Sequence, residues 1–415
     1  MLSLYKILSI LLFPFIELWL FYRVYKGKED KKRLNERFGN TSIKRPDGNL
    51  YWVHAVSVGE ANSALILIDQ ILKTDKSCSI ILTTTTTSSN QIISQEIKKY
   101  DNKVIHQFLP IDSLYCVRSF LNYWKFSKIF FIESEIWPNI IYESKKLGCQ
   151  LNLINARISP KSYKFWLIAK KLFFINIFSN FDKIIVQDKN DIAKFKNLTK
   201  SEVLFFGNLK SQSKPLLYDD KELSKISKQI NNRPILLCSS THDKEEEILL
   251  DCYNELQKQF SDLLLIIIPR HINRSKNIAK IFDKYNVAIR SANDKITNKT
   301  QIYLVDTMNE LGIFYKLCNF TFIGGSIENI GGHNPYEAIK LDCAVISGEK
   351  FFNFKEIYQN LEKNNGCLIA KSQKDLIKNF TKLLENNKLS KELIKNSKSL
   401  INKNKFIDKL VDILN

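Results

Sequence analysis

The sequence predicts an α/β protein built from two tandem doubly wound, Rossmann-like domains, and three observations predict it. Length is the first: 415 residues exceed what one hydrophobic core organises, so two domains of roughly 200 residues each are expected. The second is a repeated alternation of short apolar runs with amphipathic helical windows, the pattern of parallel strands covered on both faces by helices. The third is a polar, charged interval, Leu209 to Arg233, which splits the runs into two series and places a boundary near Lys214. The expected division is an anchor over 1–30, a first domain over 31–213 and a second over 214–415. Doubly wound domains carry ligands on loops at the carboxyl ends of their strands, and two in tandem would face each other across a cleft. Nucleotide-sugar glycosyltransferases have this architecture, as do other two-domain α/β enzymes.

Taking the elements in order, residues 2–22 (LSLYKILSILLFPFIELWLFY) are strongly apolar but interrupted by Lys6, Pro14 and Glu17. A spanning helix wants ~20 mostly apolar residues, which makes this stretch borderline. No small-residue cleavage site follows, while Arg23, Lys26, Lys28, Lys31, Lys32 and Arg33 come directly after it. An uncleaved anchor at the cytoplasmic face of the inner membrane is expected, either spanning or lying in the interface. A helix buried against the domain is the alternative. Strands follow at Tyr51–Ala55, Ser79–Thr85, Val104–Leu109, Ile129–Ile132, Leu151–Ile154, Ile184–Gln187 and Val203–Phe206. The second series comprises Ile235–Cys238, Leu263–Ile268, Ile302–Val305, Phe320–Ile323, Ala344–Ile346 and Leu368–Ala370.

Composition narrows the partners. With 62 Lys+Arg against 43 Asp+Glu, the net charge of +19 points to an anionic partner. No tight arginine cluster or RNA-binding aromatic motif is present, which favours a membrane surface over nucleic acid. The eight cysteines are scattered without C-x-x-C, and none of the five histidines pairs with another at i, i+4. A reducing compartment and no metal site are expected.

Glycine is scarce, yet five of the 13 fall between Asp306 and Glu337. Gly324-Gly325 follows an apolar run, and Gly331-Gly332 precedes His333-Asn334-Pro335 and a helical pattern. Strand, glycine loop and helix start would together cradle a phosphate on free backbone N–H groups. Arg270, in Pro269-Arg270-His271 at a strand's carboxyl end, suits a phosphate clamp. Glu337 suits a ribose diol, or simply the positive end of the helix dipole. Asp and Glu after Ser239-Ser240-Thr241 read as first-turn acids of a capped helix.

In the first series, Ser57-Val58-Gly59-Glu60 reads in two ways. It is a capping box, S-x-x-E, and it also places a carboxylate at a strand's end, where a general base would take a proton from a sugar hydroxyl. Glu133 and Glu135 end the fourth strand, expected on one face, where like charges need cationic partners or solvent. Arg157 and Lys210 also end strands and would suit an anionic substrate.

Taken together, SVGE, ESEIWPN, NARIS, FGNLK, STH, PRH, DTMNEL, FIGGS and GGHNPYE, in this order over essentially the whole chain, resemble the Kdo transferases of lipopolysaccharide synthesis. The resemblance implies a GT-B, metal-independent, inverting glycosyltransferase without cofactor, on the cytoplasmic side of the inner membrane. It would move 3-deoxy-D-manno-octulosonic acid (Kdo) from CMP-Kdo to a lipid A precursor. It implies Glu60 as general base, Glu133 and Lys210 as assistants of the transition state, and CMP contacts at Pro269, Arg270, Met308, Asn309, Glu310, Asn334, Pro335, Tyr336 and Glu337. Asn309 stands where the family often has glycine, and Tyr336 where leucine is common. Two rivals stand beside this: a GT-B enzyme acting on another nucleotide sugar, and a non-catalytic nucleotide-binding module at the membrane surface.

Overall fold

The computed structural model describes residues 2–173, 176–402, 406, 409 and 410. The chain divides into two compact units, Met1–Ser213 with Lys405–Asn415, and Lys214–Asn404. The second domain, expected to run to the chain's end, therefore stops short of it. The reason is apolar: Phe406 and Leu410 are fully buried in the first unit's core, where Phe406 meets the ring of Phe206 at 6.2 Å.

The first unit contains a seven-stranded parallel sheet: β1 (Leu50–His54), β2 (Ser79–Thr84), β3 (Val104–Phe108), β4 (Lys128–Ile132), β5 (Gln150–Ala156), β6 (Lys183–Val186) and β7 (Glu202–Phe205). Its order is β3-β2-β1-β4-β5-β6-β7, so the winding reverses between β1 and β4. Alternate residues supply two cores. Trp52, Ile81, Phe131 and Leu153 pack on one face, Val53, Leu82, Phe130 and Ile154 on the other. Burial on both faces is why these strands read as continuous apolar runs rather than as alternation.

The second unit repeats the plan with β8 (Ile235–Thr241), β9 (Leu264–Pro269), β10 (Val287–Ile289), β11 (Ile302–Leu304), β12 (Phe320–Ile323), β13 (Ala344–Gly348) and β14 (Cys367–Ala370). All pairs are parallel in the order β10-β11-β9-β8-β12-β13-β14, and the reversal lies between β8 and β12. The sequence reading missed β10. It is a three-residue edge strand, too short to show a periodicity.

The apolar N-terminus forms two helices, Leu2–Leu11 and Phe13–Tyr25. Pro14 stands in the first turn of the second, where its missing N–H costs nothing. Their apolar parts meet at a bend of 51°, and among the described residues no single helix is long and apolar enough to cross a membrane. The first helix is tied to its own domain by polar contacts, Tyr5 Oη to Asp112 at 2.8 Å and Lys6 Nζ to Glu143 at 2.6 Å. Its other residues, and most of the second helix, leave large apolar side chains exposed, including Leu11, Phe15, Leu18 and Trp19.

One core histidine carries a pH prediction. On β3, His106 Nδ1 faces Arg33 at 3.1 Å and must accept, because a guanidinium only donates; Nε2 lies 2.9 Å from Thr84 Oγ1. Burial, and then the Arg33 charge, push its pKa down to about 3. An unfolded histidine titrates near ~6.5, so the unfolded chain binds a proton that the folded one refuses. This contribution is intact above that pH and falls by up to about 1.4 kcal/mol per unit below it. Urea unfolding at pH 7 and pH 5.5 is expected to show the loss, and His106→Gln to show a smaller one. Equal slopes would assign the acid sensitivity elsewhere.

Candidate active site

In the first unit the two expected acids flank the point where the winding of the sheet reverses. Glu60 follows β1, in the first turn of the helix Val58–Thr74. Ser57 Oγ accepts from the Glu60 N–H at 3.3 Å, while Glu60 Oε2 accepts from the Val56 N–H at 2.8 Å and Oε1 from Ser57 Oγ at 3.1 Å. The capping box is thus formed, with the glutamate reaching one residue further back than the usual N-cap amide. Glu60 is half-buried and has no cation within ion-pair distance among the described residues. Burial foremost, then the charge of Glu133 and more weakly that of Glu135, raise its pKa above the ordinary carboxylate range. The Val56 N–H and His54 pull against this. Capping and basicity therefore coexist in one side chain.

Glu133 is placed differently from expectation. β4 ends at Ile132, and Glu133 takes φ +64°, so the two-residue alternation that would have set it on one face with Glu135 is broken there. A left-handed glutamate costs on the order of 1 kcal/mol and persists only where surroundings over-determine it. Here they do. Its N–H donates to the Ile154 carbonyl at 2.9 Å, and its carboxylate, only 2% exposed, meets Lys210 Nζ at 2.5 Å and Arg157 Nε at 3.1 Å. Arg157 and Lys210, expected to await a substrate anion, are thus paired with the protein's own. Asn155, also left-handed at φ +56°, accepts the Leu209 N–H at 2.9 Å and so ties the end of β5 to the loop carrying Lys210. Glu135 turns instead to Trp137 Nε1 at 2.8 Å and His54 Nε2 at 3.5 Å.

In the second unit the glycine loop has a guest, but not a phosphate. Glu245, fully buried, accepts from the N–H groups of Gly325 (2.7 Å) and His242 (3.0 Å) on Oε2, and of Ser326 and Ile327 (3.0 Å each) on Oε1. The N–H groups of Gly331 and Gly332 are spent on the Gly325 carbonyl. The expectation of a phosphate cradle at these glycines is therefore corrected. The loop is closed by an internal carboxylate, and a Cβ on Gly324 would stand 2.7 Å from it. Burial raises the Glu245 pKa, and the four N–H donors oppose that. The signal was present in the sequence: Glu245 shares a helical face with Leu249, Cys252 and Leu256, all buried.

The residues expected to hold CMP sit around the carboxyl ends of this sheet. Pro269 ends β9, and Arg270, exposed, has no carboxylate within ion-pair distance among the described residues. Met308 is exposed. Asn309 adopts φ +64°, a conformation open to glycine and asparagine alike. Glu310 is committed to Arg290, at 2.5 Å, and to the Thr307 hydroxyl, so its carboxylate holds the loop. Asn334 joins Glu337 Oε1 at 3.0 Å and accepts the Tyr336 N–H at 3.0 Å. Pro335 caps the short helix Tyr336–Lys340, and Tyr336 is a buried core residue. Among the described residues no group of three or more His, Cys, Asp or Glu is placed to hold a metal ion.

Comparison with known proteins agrees with this layout. A family model described as 3-Deoxy-D-manno-octulosonic-acid transferase (kdotransferase) matches residues 32–213, and one described as Glycosyl transferases group 1 matches 219–400. A Rickettsia typhi protein named 3-deoxy-D-manno-octulosonic acid transferase is 36% identical over 433 residues, covering 93% of this chain and 92% of the relative. One of the same name from Haemophilus influenzae is 30% identical, covering 88% and 86%. Among solved structures, a glycosyltransferase from Rickettsia africae superposes with a TM-score of 0.61 at 14% identity, covering 89% of this chain and 98% of that one. That likeness shows the fold, two Rossmann-like domains of the GT-B class.

Proposed function

Because the chain belongs to the 3-deoxy-D-manno-octulosonic acid transferase family, and is in that sense a Kdo-transferring glycosyltransferase, we propose that it moves Kdo from CMP-Kdo to a lipid A precursor with inversion. The observation that carries the chemistry is the contrast between two carboxylates at one switch point. Glu133 is paired with Lys210 and Arg157, whereas Glu60 has no cation within ion-pair distance among the described residues and a raised pKa. A single unpaired carboxylate of enhanced basicity suits one displacement. The acceptor hydroxyl gives its proton to Glu60 as its oxygen bonds the anomeric carbon, and the bond to the CMP phosphate breaks, with CMP leaving as the anion. A retaining double displacement would need a second free carboxylate as nucleophile. In this reading Glu133 and Lys210 assist by fixing charge beside the base, and Pro269, Arg270, Met308–Glu310 and Asn334–Glu337 bind the nucleotide, Arg270 meeting its phosphate.

The same reading places the protein at the cytoplasmic face of the inner membrane, supported by the exposed apolar side chains of the N-terminal helices and the net charge of +19. One assay tests both parts. With CMP-Kdo generated in situ and tetraacyl lipid A precursor in vesicles containing anionic lipid, the product is expected to gain the mass of one or more Kdo units. The enzyme is expected to float with the vesicles, and Phe15→Glu/Trp19→Glu to float poorly. Folded protein that leaves the acceptor unmodified while using another nucleotide sugar would overturn the donor assignment. Wild type that stays in the soluble fraction would overturn the membrane assignment.

A further inference from the structure

The two histidines that close the switch point of the second sheet have no role in the reaction described so far. His242 directly follows β8, and His333 lies on the loop after β12, so both follow the two strands between which the winding reverses. In open α/β sheets ligands enter at this crevice. The two Nε2 atoms are 2.7 Å apart, with rings parallel to within 6° and centroids 5.0 Å apart. At that distance one nitrogen must donate and the other accept, so a single proton serves both. Gly325, at φ +67°, lies against both rings; a Cβ there would stand 3.0 Å from His333 and 3.4 Å from His242. His271 stands perpendicular to His242 at 5.6 Å.

We propose that His242 and His333 are donor-binding residues that take up one proton as the nucleotide's phosphate arrives, their mutual bond opening so that both Nε2–H groups donate to the anion. The inference rests on the CMP-binding reading of the second domain. The pair is neutral in the structure: burial first, then neighbouring imidazole and guanidinium groups, push His242 down to about 4 and His333 to about 3. The groups responsible are His271, Arg274 and Arg270 around His242, and His242, Arg270 and His271 around His333, with no carboxylate among them. Glu245 is turned to four backbone amides, Arg274 is paired with Glu246 and Asp243, and the Tyr358 hydroxyl sits on the His333 carbonyl rather than the ring. An anion placed among these groups offsets their effect and favours one imidazolium. A second proton is opposed by the first.

Calorimetric titration of the full chain with CMP, in two buffers of different ionisation enthalpy at pH 7, counts protons directly. Wild type is expected to take up close to one proton more than His333→Gln or His242→Asn. The nucleotide's own titration is common to all three and cancels in the difference. His333→Gln is expected to bind CMP roughly tenfold more weakly at pH 6, with the gap closed near pH 7, because uptake of one proton costs about tenfold in affinity per pH unit. A merely structural pair would lower the melting temperature of the variants without moving the proton count. Equal counts in wild type and in whichever variant folds would overturn the inference while leaving CMP binding in place. Folded wild type that fails to bind CMP would overturn the nucleotide reading and this inference with it.

Discussion

Glu60→Gln is expected to lower the turnover of Kdo transfer by about 10²–10⁴-fold, the usual contribution of a well-placed general base. The amide keeps its one oxygen for the Val56 N–H, and its NH₂ can donate to Ser57 Oγ, so the cap of the helix Val58–Thr74 survives and the melting temperature should change little. CMP affinity, which belongs to the second domain, should not change. Steady-state kinetics beside a CMP titration separates the two effects. Because burial and Glu133 raise the Glu60 pKa, the wild-type pH profile should fall on its acid side at a pH above the ordinary carboxylate range: the base works only when ionised, and it regains its proton early as pH drops. Glu133→Gln removes the nearby charge and should shift that limb to lower pH. A Glu60→Gln enzyme with undiminished turnover would return the residue to a capping role alone.

Glu245→Ala carries the largest expected effect on stability. Four backbone N–H groups of a buried loop lose their acceptor at once, and each unsatisfied donor costs on the order of 1–3 kcal/mol before water enters the vacated space. A net loss of about 3–5 kcal/mol is expected, enough to leave the second domain marginal. Glu245→Gln should be milder: its carbonyl oxygen still accepts, but its NH₂ faces N–H donors. Urea unfolding followed by fluorescence and by CMP binding would show it, since nucleotide binding should fail in parallel with folding. Glu245→Ala protein as stable as wild type would mean that water replaces the carboxylate at little cost.

The sequence determined the fold class because a parallel sheet buried on both faces leaves a local trace. Each strand is an apolar run, and each run is followed by a helical period. It also determined the candidate site in outline, since the motifs at strand ends are contiguous. Glu60, Glu133 and Lys210 in the first unit, and Arg270 and the segment Asn334–Glu337 in the second, lie at carboxyl ends of strands, on the loops that follow them or in the first turn of the next helix.

What the tertiary structure decided were the pairings across long sequence separations. Lys210 and Arg157 lie 77 and 24 residues from Glu133, and only the order of β4, β5 and the later strands brings both onto one carboxylate. Glu245 and the glycine loop are separated by about 80 residues, and only the adjacency of β8 and β12 puts that acid where a phosphate was expected. His242 and His333 meet across 91 residues for the same reason. Local propensity and periodicity act over a few turns or one strand, so they show which groups reach a sheet's edge. Which of those groups neutralise one another is a property of strand order, and that appears only when the sheet is closed.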